Sequence, residues 1–520
     1  MRVFFNAVLF GLCFLLCGQE VSAARLLYVP LDDRPVNLAY SVDTLNSAGW
    51  TVLTPPRELL ASRYRTGEPD RLLDWLEKEA KTAAAAVVSA DATLYGGLVA
   101  SRTHEYPATI LAERLVRLTG LKDKTGIRLY VFSTIMRSPK SSVGGVEPPY
   151  YEQWGPALFR LGELNDKEET LSLKRRERKE RDALLAGLPE QVYHDWSTRR
   201  AVNLSLNRRL LSALHNKAFD YLVFGKDDTA PFSQPRREAR ALGAEIAAGG
   251  LYNCRLFAGA DQLGLLLLTR AVCDQLLTIP FVHAVYAPGV GGQTVPRYED
   301  TTVEATALGN IYAAGGLPVS SAERADLVLL LNTPPDGITK EAMFTPENTA
   351  LNNRHSQTVL SLAEKLSAGK PTALADVQFA NGSSNALVNG LLTTGLAWRL
   401  SAYAGWNTAG NSLGYAIGQG ILAEYTPERD RHRLLTVRYL DDWAYQANVR
   451  ETLYKTTVWP RRLNDTNLGN NRAALEKAAL SLLTVQVKGY IPAEFREGLN
   501  AAFPWNRLFE VDITVPAQES

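Results

Sequence analysis

Short apolar runs recur along this chain, and each ends in an acidic or amide residue. Leu26–Leu31 runs into Asp32-Asp33-Arg34, Ala84–Val88 into Ser89 and Asp91, and Tyr221–Phe224 into Gly225-Lys226-Asp227-Asp228. Cys254–Ala258 leads to Asp261, Leu327–Leu331 to Asn332, and Thr372–Ala375 to Asp376. A strand that is apolar at every position is buried on both faces, as in a parallel sheet covered by helices. Polar residues at the C-terminal ends of such strands gather on one face, where α/β enzymes keep their chemistry. The pattern predicts an α/β fold with an acidic site built from several loops.

Strand-like runs near 26–31, 84–90, 127–133, 220–226, 254–258, 282–287, 326–332 and 372–378 alternate with helix-like segments near 37–48, 69–82, 107–121, 235–248, 262–277, 302–314, 357–368 and 384–397. Regular alternation argues for parallel strands with crossover helices. It fits a (β/α)8-like barrel, with 51–53 and 402–404 as extra strands; an open doubly wound sheet, or two of them, gives the same alternation. Residues 140–218 interrupt it as an inserted helical segment that opens with the loop Gly144–Tyr151. The basic run Lys174–Lys179 within it is interleaved with Glu and reads as a solvated helix rather than a polyanion site. After Trp406 strand signals thin out, and helix-like stretches around Tyr445–Tyr454 and Asn471–Val485 follow. The expected organisation is an α/β catalytic domain over 24–425 and a C-terminal helical region over 426–520.

Residues 1–23 carry Arg2, an apolar stretch from Val3 to Cys17 and the small-residue exit Val21-Ser22-Ala23, the marks of a secretory signal peptide, so the mature chain is expected to be periplasmic or secreted. Leu16 before Cys17 disfavours a lipid anchor. No later segment is long and apolar enough to span a bilayer. Lys plus Arg number 56 against 55 Asp plus Glu, which leaves no electrostatic reason to expect nucleic acid or an anionic membrane as partner. Once the signal is removed only Cys254 and Cys273 remain, either as a disulfide or as small buried apolar residues, and a zinc site built on cysteine is excluded by count. None of the six histidines has a neighbouring His at zinc-ligand spacing, and no metal site is expected. A Ca2+ or Mg2+ site from Asp32, Asp91, Asp227 and Asp228 is the rival, without EF-hand spacing. No cofactor is expected. Gly96-Gly97 is too short for a dinucleotide fingerprint, and Gly289-Val290-Gly291-Gly292 lacks the Lys-Ser/Thr ending of a phosphate loop.

Asp227 and Asp228 are the sharpest candidates for catalysis. Two adjacent carboxylates at a strand end repel, which raises one pKa, while Lys226 beside them holds the other down; that split suits an acid and its partner. The bland alternative is one Asp capping a turn and the other in water. Asp32, Asp33 and Arg34 after the first strand, Asp91 and Tyr95 after the next, Arg137 beyond the third and Asp261 near the fifth are candidate substrate-binding groups, Arg as a clamp and Asp as acceptor from hydroxyls. Trp406, Asn407 and Asn411 lie in the Gly-rich stretch Gly405–Gly414, read as a rim loop facing a pocket. Tyr95, Tyr150, Tyr151, Trp154, Trp406 and Tyr415 accompany the polar loops, and rings among Asp, Asn and Arg are what a carbohydrate pocket needs.

The strings LDDRPVN, SADATLYGGLVASR, GKDDTAP, ADVQFANG and GWNTAGNSLG resemble those of an uncharacterised bacterial family, domain of unknown function 4127, over nearly the whole mature chain. That resemblance supplies no activity. A weaker, fold-level similarity is to barrel N-acetylglucosaminidases with an adjacent Asp pair at the fourth strand's end. It would make Asp227 the residue that orients the substrate's acetamido group and Asp228 the general acid. The expected function is an exported glycoside hydrolase acting on carbohydrate, including N-acetylated amino sugars. The alternatives are a non-catalytic glycan-binding envelope protein and a carboxylate-metal hydrolase.

Overall fold

The computed structural model describes residues 25–141 and 145–516, so the signal-peptide segment and Gly144 lie outside the described residues. The apolar runs are strands. β1 (Leu26–Val29), β2 (Val52–Leu53), β3 (Ala85–Ser89), β4 (Arg128–Ile135), β5 (Tyr221–Lys226) and β6 (Cys254–Ala258) form one parallel sheet in the order β2-β1-β3-β4-β5-β6. β7 (Phe281–Tyr286), β8 (Leu317–Pro318), β9 (Leu327–Asn332), β11 (Thr372–Asp376) and β13 (Ala402–Ala404) form a second in the order β13-β11-β9-β7-β8, with the short pair β10 (Lys340–Glu341) and β12 (Phe379–Ala380) beside it. From its first strand onward, each sheet steps once to one side and then continues on the other. That is the doubly wound order in which ligands bind beyond the carboxyl ends of the strands.

The closed barrel is therefore corrected to its open alternative, two sheets. Alternation of strands and helices is the same in both. What differs is that β6 and β7, consecutive in the chain, do not pair with each other. The free edge at β6 is covered instead by a helix, Val303–Ala313, where Gly309 lets the helix lie against Phe257 of β6.

Alternation within each strand decides which core it serves. Leu26 and Tyr28 point into a large apolar cluster that also contains β9, β11 and β13 side chains, while Leu27 and Val29 point into a second cluster on the opposite face. The larger cluster joins the two sheets.

Between β4 and β5 run α1 (Tyr151–Leu171), α2 (Arg175–Gly187) and α3 (Glu190–His215). α2 has no buried residue, as its alternating charges require. α4 (Leu263–Leu276), α5 (Val303–Ala313) and α6 (Ala409–Leu422) pack together at the junction of the sheets. Every residue of α6 is buried, so the stretch read as a rim loop is loop only as far as Thr408. The glycines that argued against a core position make this packing possible: Gly410, Gly414 and Gly418 place one face of α6 directly on Ala258, Gln262 and Leu265.

The C-terminal part continues as α7 (Glu428–Arg438), a π-helix (Tyr439–Val449), α8 (Arg472–Gln486) and the hairpin β14 (Asn500–Ala502) with β15 (Asp512–Thr514). It is fastened to the first sheet's leading segment. Buried Arg438 pairs with Asp441 and Asp442 and lies over the Tyr40 ring at 4.2 Å, and Tyr40 donates to Asp441 at 3.2 Å. Cys254 and Cys273 are unpaired and buried, and burial raises both thiols to about 12. Among the described residues, no helix is long and apolar enough to cross a membrane.

Candidate active site

A cavity of about 700 Å³ opens between the carboxyl ends of the two sheets and the C-terminal segment. That is within the usual range for small-molecule sites. The first sheet supplies Arg34, Arg137, Lys226, Asp227, Asp228 and Asp261. The second supplies Tyr298, Asn381, Asn407 and Asn411, and the C-terminal segment adds Asp465, Trp505, Arg507 and Phe509.

Asp227 and Asp228 leave β5 into this cavity. Asp227 accepts from the Arg102 guanidinium, and Asp228 accepts from Arg137 at 2.8 Å. Glu147, buried, joins the two arginines, taking Arg102 at 3.1 Å and Arg137 Nε at 2.7 Å. The result is an alternating chain, Asp227, Arg102, Glu147, Arg137, Asp228, that fixes both carboxylates. Asp228 has a φ of +31°, unusual for a residue with a Cβ, and 35% of its side chain is accessible from the cavity. Its carboxyl is raised above the usual range, chiefly by burial and further by the charge of Asp227, against the pull of Arg137.

On the other side of the pair, Lys226 is buried and ion-paired with Asp300, from the loop after β7, so its charge is spent there rather than on Asp227. Next to Asp300, Glu299 accepts from Gly410 N–H at 2.6 Å, and burial raises its carboxyl to about 7.

Arg34 is held by Asp32 at 2.8 Å and Asp261 at 2.6 Å, and it lies over the Trp505 ring at 4.9 Å. Asn37 steadies the same group, donating to Asp32 at 2.8 Å. Asp261 in turn takes Asn407, and its own N–H donates to Asn411.

Five of the expected contact residues do not line the cavity. Asp32 is buried behind Arg34, and Asp33 receives Trp505 Nε1 at 2.8 Å. Asp91 turns inward to accept the N–H and Oγ1 of Thr134 at 2.8 and 2.9 Å. Tyr95 is buried and stacked on His104, and Trp406 is buried behind Phe509, which takes the place at the cavity surface. In each case a strand-end polar group or ring has found a partner within the protein, a choice that depends on neighbours remote in sequence. The aromatic lining is Phe159, Tyr298, Tyr454, Trp505 and Phe509. Arg102, Glu147, Trp505 and Arg507 were missed. Arg102 closes the string SADATLYGGLVASR, and Trp505-Asn506-Arg507-Leu508-Phe509 has the mixed aromatic and basic character of a binding loop, the signal that was available.

Among the described residues, no group of three or more His, Cys, Asp or Glu is arranged to hold a metal ion. The four aspartates of the rival carboxylate site are instead divided among Arg34, Thr134, Arg102 and Arg137.

Burial raises the Asp91 carboxyl to about 7, so the folded state favours its protonated form. The stabilisation this brings is complete below the ordinary carboxylate range and is lost as pH rises towards 7. An Asp91→Asn protein lacks that proton. Between pH 5 and 7 its unfolding free energy is expected to gain on the wild type by about 1.4 kcal/mol per pH unit, measured by urea unfolding. A constant difference across this range would refute the assignment.

The model of a family described as a protein of unknown function, DUF4127, matches residues 26–514. The chain belongs to this family. The DUF4127 match covers both sheets and the C-terminal segment, and so every side of the cavity. No curated protein matches the sequence. A solved UDP-glucosyltransferase from Polygonum tinctorium is 12% identical, over 90% of this chain and 99% of that chain, at a TM-score of 0.16. A score so low carries no argument about fold or activity.

Proposed function

We propose that this protein is an exported glycoside hydrolase in which Asp228 is the general acid and Asp227 the partner carboxylate, acting on the reacting sugar as nucleophile or as the group that orients an acetamido nucleophile. The observation that carries this reading is the unequal environment of two adjacent carboxyls. Each has its arginine, Asp227 Arg102 and Asp228 Arg137, but Asp228 has 35% of its side chain accessible from the cavity and a raised carboxyl, whereas only 12% of Asp227 is accessible. Such a division is what protonating a leaving oxygen while stabilising positive charge at the anomeric carbon requires.

The surroundings fit a polyhydroxylated ligand. Asn381, Asn407 and Asn411 offer amides, and Thr229 and Thr408, which line the cavity, have buried hydroxyl oxygens with no partner among the described residues. Tyr298 and Phe509 bring partly exposed rings to the cavity for a pyranose, while Trp505 is covered by Arg34 and Arg507. The reading rests on this chemistry and no longer on likeness to a barrel, which the two open sheets remove.

The test is release of the aglycone from a panel of aryl glycosides, including N-acetylated amino sugars, at pH 5 to 8. No turnover on any member would refute the proposal. Arg137 lowers the Asp228 pKa, so Arg137→Gln is expected to move the alkaline limb of kcat/KM to higher pH by about 1 unit or more. A limb that stays in place would remove Asp228 from the role of acid.

A further inference from the structure

We infer that a second sugar-binding subsite lies outside the cavity mouth on Trp459 and Phe344, so that the substrate is a glycan chain rather than a single sugar. The inference rests on the glycosidase reading for its substrate class but not for its geometry. Trp459 and Phe344 are 54% and 41% exposed, and their rings stack at 5.0 Å and 22°. Tyr454 stands 5.7 Å from the Trp459 ring and 6.0 Å from the Phe344 ring. Tyr454 also lines the cavity, where its hydroxyl donates to Asp465 at 2.7 Å. Three rings thus lead from the cavity out onto the surface.

The fold maintains this exposure at a cost. Phe344 has a φ of +60°, a conformation that a bulky residue occupies only when its surroundings enforce it. Its N–H is held by Glu451 at 2.9 Å, Glu451 pairs with Lys455, and the Lys455 ammonium lies 5.7 Å from the Phe344 ring. Tyr454 opens a π-helix, Tyr454–Val458, that ends directly before Trp459; such widened turns recur at functional sites. Phe344 is held between Trp459 and the Lys455 ammonium, and the more exposed Trp459 ring on this rigid stack suits the apolar face of a pyranose ring, with the cation nearby for its hydroxyls. Another exposed apolar group, Leu277, Ile279, Phe281 and Leu317, is mostly aliphatic and lies at the opposite, amino-terminal end of the second sheet. It offers no comparable stacking face.

The experiment uses N-acetylglucosamine oligomers of one to six units and β-1,4-glucose oligomers as a second series. Binding is measured by calorimetry on the Asp228→Asn protein, and turnover on the active protein. Affinity in at least one series is expected to rise on going from one unit to three. Trp459→Ala should weaken binding of the longer oligomers at least fivefold, leave the monomer unchanged and leave the melting temperature within a degree, with Trp459→Phe restoring most of the loss. Trp459-dependent binding without hydrolysis would uphold the subsite and sink the glycosidase reading. Hydrolysis with no effect of Trp459→Ala at any length would sink the subsite alone. Absence of Trp459-dependent binding in both series, or dependence only on lipid vesicles, would overturn it.

Discussion

Replacing Asp228 with Asn is expected to lower kcat about 10²–10⁴-fold, the share that a positioned general acid contributes to a barrier. Asn keeps the shape and can still accept from Arg137, but it has no proton to give the leaving oxygen. The side chain is partly accessible and sits at a turn, so the fold should survive, and an unchanged melting temperature beside a lost kcat separates chemistry from stability. A leaving group that departs without protonation, such as dinitrophenol, should recover most of the loss. Asp227→Asn should also depress kcat, without that recovery. It removes the charge facing buried Arg102, and breaking such a pair carries a stability cost of its own, on the order of 3 kcal/mol. The melting temperature must therefore accompany every rate for that protein. Full turnover in both variants would leave the pair with no catalytic part.

Gly410→Ala is expected to destabilise the whole molecule by about 1–3 kcal/mol and lower its melting temperature by about 1–3 degrees. In an ordinary helix the same change would stabilise, by roughly 1 kcal/mol, because alanine is the better helix former. Here a Cβ at 410 would lie 2.4 Å from the Ala258 carbonyl oxygen and 2.9 Å from its carbon. Neither atom can swing away, since Ala258 is paired in β6 to Lys226 of β5. The helix would have to back off, stretching the Gly410 N–H bond to Glu299 and shifting Asn411 away from Asp261. Activity should fall along with stability. A neutral or stabilising result would mean that α6 is not seated on β6 as described.

The legible parts of this molecule share one physical basis. A strand covered on both faces has no alternative to an unbroken apolar run, so β1, β3, β5, β9 and β11 announce themselves. The polar residue after each marks the edge where the run emerges. Asp227, Asp228, Asp261 and Arg34 could be placed at one face on that basis, and they line one cavity. Asp91 obeys the same rule and does not line it, because Thr134 on the neighbouring strand offers both an N–H and a hydroxyl to its carboxylate. Which strand-end carboxylate faces a ligand and which is absorbed by a neighbour depends on register, and register is not visible in a single segment.

The sequence by itself determined the α/β class, the strands and the face that carries the acidic residues, since these follow from local hydrophobic period and from polarity at strand ends. Tertiary structure alone decided that the strands make two open sheets with the same order and no repeat in sequence. It also brought Arg102 and Glu147 to the Asp pair, and Trp505, Arg507 and Phe509 from the far end of the chain to the cavity. Those outcomes depend on pairings across hundreds of residues and on a glycine face of α6 fitting against β6. Their free energy comes from long-range packing that no local pattern encodes.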